Sequence, residues 1–195
     1  MNKKRVLAAV LAAASALTLT ACGGNSSSAD DDAVKIAYIV KAKSDEFWTT
    51  MEKGAYAYAE EKGVALSFQA PEKETDVEKQ VQMVENAVVK GFDAIILSAA
   101  DSKSLVPAIV KANKANIPVI LVNDTIDEKA LAAEGGKVET YVGIDQYEAA
   151  SLAGKYAAEN IPDGNIVYLE GVSGVKALED RLTGFSDQVP NFNVV

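Results

Sequence analysis

The sequence predicts an α/β fold in which helices cover both faces of a parallel β-sheet. Short apolar runs alternate with longer stretches of helical periodicity, and the pair repeats roughly every 25–30 residues, the period of a βαβ unit. The first run, residues 34–40, is almost continuously apolar, which is typical of a parallel strand buried on both faces. The composition, 49% hydrophobic and 24% charged over 195 residues, is that of an ordinary globular protein.

Each predicted strand is a short apolar or β-branched run bounded by glycine, proline or polar residues. The runs are residues 34–40, 64–68, 94–98, 117–122, 140–144 and 165–169, with a seventh strand beginning at residue 192. Pro118 lies near the start of the fourth run, where a missing backbone N–H is tolerated. Because the carboxyl ends of parallel strands meet at one edge of a sheet, we expect a binding site among the loops that follow them.

Helices are predicted between these strands from apolar residues at helical spacing. The first, residues 46–62, is expected to bury one face, made of Phe47, Met51, Ala55 and Tyr58. The second is the clearest, because a capping box at residues 75–78 precedes a stripe of valines: Val77, Val81, Val84 and Val88. Three more helices are predicted at residues 101–115, 147–160 and 176–189, and residues 123–137 are predicted to be a polar loop.

The N-terminus predicts export and lipid anchoring. A basic start is followed by an apolar stretch, residues 6–19, too short to span a bilayer comfortably. It ends in Leu19-Thr-Ala-Cys22, which resembles a bacterial lipobox; a plain secretory signal is the alternative. We therefore expect a lipoprotein signal peptide at residues 1–21, lipid on Cys22, and a flexible tether at residues 22–33. The expected location is the extracytoplasmic face of the membrane in the cell envelope.

Charge and residue content exclude several classes of function. The net charge of −9 argues against a nucleic-acid partner, since phosphate binding needs clustered lysine and arginine. The chain has no histidine, which removes histidine-based catalytic triads and most zinc or haem sites. The run Asp30-Asp-Asp32 is interpreted as solvated charge in the tether. We expect no cofactor and no metal.

Polar and aromatic side chains collect after three of the predicted strands. Asp45, Phe47 and Trp48 follow the first strand, Asn123 and Asp124 follow the fourth, and Arg181 lies in the helix after the sixth. Aromatic faces suit the CH face of a sugar, carboxylates and amides suit vicinal hydroxyls, and arginine donates a planar fork. Together they predict a pocket for a sugar or polyol.

Each residue also has a simpler interpretation, and these stay open. One of the two aromatics, Phe47 or Trp48, can be a core residue, since adjacent helix positions point about 100° apart. Asp45 is also a natural helix N-cap, as is Asp101. Asn123 and Asp124 can form a turn, and Arg181 can pair with a surface acid.

An anchored enzyme acting on a glycoside is a weaker alternative. Ser173 lies in Glu170-Gly-Val-Ser-Gly174, which is close to the Gly-x-Ser-x-Gly of a nucleophile elbow. The first glycine of that motif is missing at the required spacing, and no histidine could activate the serine. The segment is better interpreted as a tight turn between a strand and a helix, and we predict that the protein is not an enzyme.

Five stretches carry a resemblance to a known family. They are Ser44-Asp-Glu-Phe-Trp48, Gly91-Phe-Asp-Ala-Ile-Ile-Leu97, Ala115-Asn-Ile-Pro-Val119, Tyr141-Val-Gly-Ile-Asp145 and Glu170-Gly-Val-Ser-Gly174 with the later Asp180-Arg-Leu-Thr-Gly-Phe185. In this order and spacing, behind a lipobox, the chain resembles the type I periplasmic sugar-binding proteins, the ribose- and galactose-binding receptors of ABC importers.

The resemblance implies two Rossmann-like lobes that close on a sugar by a hinge. Residues 34–142 would be the N-terminal lobe, and residues 143–195 the hinge crossing and part of a C-terminal lobe. By position, Asp45 matches the polar residue before the stacking aromatics, which are Phe47 and Trp48; Asn123 and Arg181 match polar ligands from the two lobes. The chain is shorter than the family's members, so we expect that it is truncated.

One departure bears on the ligand. Asp124 stands where the family commonly has arginine or lysine. We therefore expect a ligand richer in hydrogen-bond donors: an amino sugar, an inositol-like polyol or some other small molecule that is cationic. The predicted function is a monomeric, lipid-anchored receptor that passes a sugar or polyol to an ABC importer permease. The alternative is a sensory module that presents the same ligand to a membrane chemoreceptor or kinase.

Overall fold

Strand and helix alternate along the chain as the sequence predicts. The computed structural model describes residues 33–43, 46–161 and 164–194. The predicted signal peptide, most of the tether with Cys22, and Asp45 lie outside these residues. Within them, no helix combines the length and the apolar character needed to cross a membrane.

A parallel sheet of five strands forms the larger part of the fold. Its strands, in spatial order, are β2 (Ala65–Gln69), β1 (Lys35–Ile39), β3 (Ala94–Leu97), β4 (Val119–Val122) and β5 (Thr140–Val142). Tyr38 in β1 is in register with Phe68 on one side and Ile96 on the other. The order along the sheet reverses at β1 and β3, and a sheet of this kind opens a crevice beyond the carboxyl ends of the strands at that point.

Helices cover both faces of this sheet because successive side chains of each strand point to opposite sides. On one face, Tyr38, Val40 and Phe68 pack with Trp48 of α1 (Glu46–Lys62). On the other face, Ile39, Ile95 and Leu97 belong to a larger cluster with residues of three helices. Those helices are α2 (Val77–Val89), α3 (Val106–Lys114) and α4 (Glu128–Ala133). The predicted α/β fold with a doubly wound parallel sheet is confirmed.

The rest of the described chain is built on two helices and a short strand pair. α5 (Gln146–Asn160) packs against α6 (Lys176–Ser186), and β6 (Asn165–Ile166) pairs in parallel with β7 (Asn193–Val194). The two helices approach closely because of glycine: a Cβ atom at Gly184 would collide with the carbonyl oxygen of Tyr147. The loop before α6 contacts the turn that follows β3, since the Ser102 N–H donates to the Gly174 carbonyl at 3.0 Å.

Several predicted elements differ in detail. No capping box forms, because α2 begins after Asp76 and no side chain caps it. α3 begins at Val106 rather than 101, after a turn in which the Asp101 carboxylate accepts from the Ser104 N–H at 2.7 Å. The sixth predicted strand is confined to Asn165–Ile166.

Two further predictions about helices were wrong. The predicted polar loop at residues 123–137 contains α4, which Asp127 caps by accepting from the Ala130 N–H and which buries Leu131. The predicted buried face of α1 was wrong at both ends: Phe47 and Tyr58 are exposed and Trp48 and Ala59 are buried instead. Its two middle residues, Met51 and Ala55, pack against the core as expected.

Candidate functional site

A cavity of about 240 Å³ opens at the carboxyl edge of the five-stranded sheet. It is lined by Lys41, Phe47, Trp48, Glu74, Asn123, Asp124, Ala177, Leu178 and Arg181. Five residues that the sequence predicts for the site, from three separate stretches, therefore meet at one cavity. The sixth, Asp45, lies outside the described residues, so its role stays a prediction.

The two aromatic residues have different roles in this cavity. Trp48 is 3% exposed and belongs to the core under the sheet, whereas Phe47 is 52% exposed. Their ring centroids are 4.9 Å apart and the planes meet at 82°, an edge-to-face contact. Of the two alternatives left open by the sequence, Trp48 is the core residue and Phe47 is the aromatic residue that is exposed at the cavity.

The carboxylate of Asp124 is occupied by protein groups. It is 2% exposed. Its Oδ1 lies 3.2 Å from the Lys41 ammonium, and its Oδ2 accepts from the Ser98 hydroxyl at 2.6 Å. The side-chain amide of Asn123 also donates to Oδ2, at 2.9 Å. The expectation of a cationic or donor-rich ligand rested on a free second carboxylate, and that premise is wrong because Lys41 balances the charge.

The backbone of Asn123 is held in an uncommon conformation. Its φ of 61° is in the left-handed region, which costs a non-glycine residue about 1–2 kcal/mol, although asparagine adopts it more readily than most. Its N–H donates to the Val142 carbonyl at 3.0 Å, and its own carbonyl accepts from the Tyr141 hydroxyl at 3.0 Å. Contacts of this kind fix a strained residue, and such residues cluster at functional sites.

The hydroxyl of Tyr141 stays protonated at neutral pH. Burial is the largest influence and raises its pKa, and the charges of Asp124 and Asp145 raise it further. Gln146 and Arg181 lower it, but the pKa remains above the usual value of a tyrosine. The hydroxyl is therefore available as a donor to the Asn123 carbonyl.

Arg181 reaches the cavity from α6. Its Nε donates to the Oε1 of Gln146 at 2.7 Å. The sequence left open a surface ion pair for Arg181, but the partner in this bond is a neutral amide. The bond uses one of the five N–H donors of the guanidinium, and the other four are on its terminal nitrogens.

A buried glutamine supports the same edge of the sheet. Gln80 of α2 donates to the carbonyls of Val40 and Ser98, at 3.1 Å and 2.8 Å, and accepts from the Ala100 N–H at 2.8 Å. It thereby joins the ends of β1 and β3 at the point where the strand order reverses. Gln80 was not singled out from the sequence: it lies in the helix that carries the valine stripe, but nothing in the sequence marks its three backbone partners.

Four of the nine cavity residues were not predicted from the sequence: the apolar Ala177 and Leu178 of α6, and two charged residues. Lys41 follows β1 directly, and Glu74 lies in the loop after β2, 3.9 Å from the Lys41 ammonium. Both are in loops that the strand-end rule singles out. We did not assign them because a single lysine or glutamate in a loop is usually a solvated surface residue.

Larger hollows occur elsewhere on the described surface. One of about 370 Å³ on α5 and α6 shares Arg181 with the candidate cavity and has the aromatic residues Tyr168 and Phe185, but it has none of the residues that follow β1, β2 and β4. One of about 510 Å³ at the start of α2 and one of about 490 Å³ beside the loop at residues 125–129 are lined by polar and charged residues without an aromatic face. In the part of the chain that the structure describes, no group of three or more acidic or cysteine side chains could hold a metal ion.

Comparison with known proteins identifies the family. Residues 36–195 match the model of the periplasmic binding protein domain. The chain belongs to this family. The relatives that the chain matches are type I sugar-binding proteins, and this periplasmic binding protein has the fold expected of them. The predicted division into lobes at residues 142 and 143 stays a prediction.

Curated relatives of this periplasmic binding protein are sugar-binding proteins rather than enzymes. The D-ribose/D-allose-binding protein of Pseudomonas aeruginosa is 36% identical over 189 residues, covering 94% of this chain and 58% of the relative. The fructose import binding protein FruE of Bifidobacterium longum is 30% identical over 191 residues, covering 96% of this chain and 58% of the relative. The chain thus spans less than two thirds of either relative.

A solved structure agrees with these sequence comparisons. An ABC transporter periplasmic solute binding protein from Actinobacillus succinogenes, with bound D-allose, is 38% identical with a TM-score of 0.73. The match covers 83% of this chain and 57% of that one. The prediction that the protein is not an enzyme agrees with this set of relatives.

Proposed function

We propose that this chain is an extracytoplasmic receptor that binds a monosaccharide of the D-ribose or D-allose kind and presents it to an ABC importer. The observation that carries the proposal is the cavity itself. It brings the exposed face of Phe47, the Lys41 and Glu74 side chains and the Arg181 guanidinium around one small space. The names of two relatives, which specify D-ribose, D-allose and bound D-allose, support the choice of sugar.

The chemistry of the cavity suits an uncharged sugar. An aromatic face packs on the CH face of a pyranose or furanose ring, and charged donors and acceptors bind its hydroxyls strongly in a partly buried site. Because Asp124 is already paired with Lys41, the cavity does not require a ligand cation. At about 240 Å³ it is smaller than the roughly 300–1,000 Å³ of pockets for drug-sized molecules, so a monosaccharide is a suitable occupant.

The proposed mechanism is closure on the ligand. Phe47 is in the first turn of α1 and Asn123 directly follows β4, whereas Ala177, Leu178 and Arg181 belong to α6. A sugar that contacts both sets binds the closed arrangement better than an open one, and so shifts the population toward closure. The importer would then recognise the closed form.

Anchoring completes the proposal. Lipid on Cys22 would hold the receptor at the extracytoplasmic face of the membrane, and the polar segment at residues 23–32 would let it reach the permease. Radiolabelled palmitate incorporated into the wild-type chain but not into the Cys22→Ser variant supports this part. Equal labelling of both would overturn it.

Isothermal titration calorimetry tests the ligand. D-Ribose, D-allose, D-fructose, D-glucosamine and myo-inositol are titrated into the purified chain. We expect binding of D-ribose or D-allose, and a loss of at least tenfold in Arg181→Ala, which removes a charged hydrogen-bond donor. The matched control is Lys111→Ala, which removes a cation from an exposed pair with Glu85 far from the cavity. The proposal is overturned if none of the five ligands binds, or if D-glucosamine or myo-inositol binds more tightly than D-ribose and D-allose.

A further inference from the structure

Gln146 occupies the point where the chain leaves the five-stranded sheet and enters α5. It is the first residue of that helix and follows the N-cap Asp145, whose carboxylate accepts from the Glu148 N–H at 2.9 Å. The side chain of Gln146 is not solvated, since the residue is only 5% exposed. A buried side-chain amide needs partners at both of its ends.

Both partners of the Gln146 amide are residues of the candidate site. Its Oε1 accepts from Nε of Arg181 at 2.7 Å, and its Nε2 lies 3.4 Å from the carbonyl oxygen of Asn123. The Tyr141 hydroxyl donates to that same carbonyl. One side chain therefore connects Arg181, which comes from α6, with Asn123, which comes from the end of β4.

These two bonds act on the parts of the site that most need ordering. An arginine side chain has many rotamers, and a ligand that must order it loses affinity. Asn123 has its backbone in the left-handed region, a conformation that persists only where neighbouring groups impose it. Gln146 restricts the arginine through Nε, which leaves the terminal nitrogens of the guanidinium for hydroxyls.

We propose that Gln146 is a positioning residue for sugar binding, which orients Arg181 and the Asn123 loop toward each other across the cavity without contacting the sugar. This inference rests on the proposed function, because its effect is on affinity for a sugar. It predicts that the glutamine matters through its two hydrogen bonds and not through the space that it fills.

Two variants separate these roles in the full chain. Gln146→Leu keeps most of the volume and removes both hydrogen bonds, so we expect about tenfold weaker binding of D-ribose or D-allose by calorimetry. Gln146→Glu keeps the acceptor for Arg181 and should recover much of that loss. Gln69→Leu is the matched control, because the side chain of this partly buried glutamine bonds, among the described residues, to the Ser67 side chain and not to a residue of the cavity, and the affinity of the variant should equal that of the wild type.

A double-mutant cycle distinguishes positioning from a general structural effect. In an Arg181→Lys background the Nε partner is absent, so Gln146→Leu should weaken binding by less than about threefold. A structural defect would instead weaken binding equally in both backgrounds. Circular dichroism shows whether each variant is folded, and Gln146→Glu carries the test if Gln146→Leu does not fold.

The outcomes are distinct. Tenfold weakening that depends on Arg181 supports the inference. Wild-type affinity in Gln146→Leu, or an equal loss in both backgrounds, overturns it and leaves the proposed function intact. If Gln146→Leu does not fold, the test uses Gln146→Glu and Arg181→Lys. The inference is supported if Gln146→Glu binds the sugar with wild-type affinity while Arg181→Lys binds it tenfold more weakly. It is overturned if Gln146→Glu binds the sugar as weakly as Arg181→Lys does. Failure of the wild-type chain to bind any sugar overturns both.

Discussion

The ammonium of Lys41 lies 3.2 Å from the carboxylate of Asp124, and both side chains are buried at the floor of the cavity. Lys41 follows β1 and Asp124 follows β4, so the pair spans the intervening end of β3, where Ser98 also donates to the carboxylate. The two charges cancel within the site. The cavity is therefore polar and almost neutral at its floor, which suits hydroxyls better than ions.

Removing one member of this pair should be costly. Lys41→Met leaves the Asp124 carboxylate buried without its counter-charge. Breaking a buried pair in this way costs about 3–5 kcal/mol, and we expect the free energy of unfolding to fall by an amount at the lower end of that range. The lower end of that range applies because the pair borders a cavity open to water. Urea unfolding measures the change. The double variant Lys41→Met/Asp124→Asn should recover part of the lost stability. If its loss of unfolding free energy equals the sum of the losses in the Lys41→Met and Asp124→Asn single variants, the pairing is contradicted.

Phe47 and Trp48 should separate binding from stability. Phe47→Ala removes a half-exposed ring and its edge-to-face contact with Trp48, so we expect about tenfold weaker sugar binding with the free energy of unfolding lowered by no more than about 1.5 kcal/mol. Trp48→Ala empties a core site and should cost about 3–5 kcal/mol. Calorimetry and urea unfolding on both variants test this, and equal destabilisation by the two would show that the roles assigned to the rings are wrong.

Gln80 should be essential for stability despite being polar. Gln80→Leu leaves two carbonyls and one N–H of the backbone without their partner, at about 1–3 kcal/mol each, so we expect a loss of at least about 3 kcal/mol. Gln82→Leu, on the exposed face of the same helix, is the control and should change the free energy of unfolding by less than about 0.5 kcal/mol. Similar values for the two variants would be inconsistent with the described bonds.

Two glycine-to-alanine changes should have opposite signs. Gly184→Ala places a Cβ against the Tyr147 carbonyl where α5 and α6 pack, and overpacking of this kind costs about 1–3 kcal/mol. Gly54 is inside α1, and a Cβ atom added there would have nothing within 4 Å, so Gly54→Ala should stabilise by about 0.5–1 kcal/mol. Thermal unfolding gives both signs, and stabilisation by Gly184→Ala would mean that the helices do not pack this closely.

Asp101 should contribute a pH-dependent part of the stability. Burial raises the pKa of its carboxyl, but hydrogen bonds from Ser104 and Lys103 and the charge of Lys103 together lower it below the usual value. A lowered pKa in the folded state stabilises the fold above the unfolded-state pKa, and this contribution is lost as the pH falls through the folded-state pKa. The stability difference between wild type and Asp101→Asn should therefore shrink from about pH 5 toward the acid limit, and a constant difference would contradict it.

The fold was accessible from the sequence because it depends on repeated features. Each buried strand of the five-stranded sheet is a run of apolar residues, and the valine stripe of α2 is long enough for its period to be unambiguous. α4 was missed because it has only six residues and a single buried apolar residue, Leu131, so no period is visible. The buried face of α1 was correct at Met51 and Ala55 but misplaced at its start, because Phe47 and Trp48 are adjacent large aromatic residues and periodicity alone does not choose between them.

The candidate site was only partly predictable. The strand-end rule located Phe47, Asn123 and Arg181, since it depends on topology alone. It could not show that Lys41 would neutralise Asp124, because the two are 83 residues apart in sequence and meet only through the order of the strands. The partner of Arg181 was unpredictable for the same reason.

The short strand pair β6–β7 has a practical consequence. Among the described residues these strands pair only with each other, so each has a second edge whose backbone groups lack a neighbouring strand. Val167 and Leu169 follow β6 and are 74% and 89% exposed. Unpaired edges next to apolar side chains favour self-association, so samples for binding work should be kept dilute and screened by light scattering before affinities are compared.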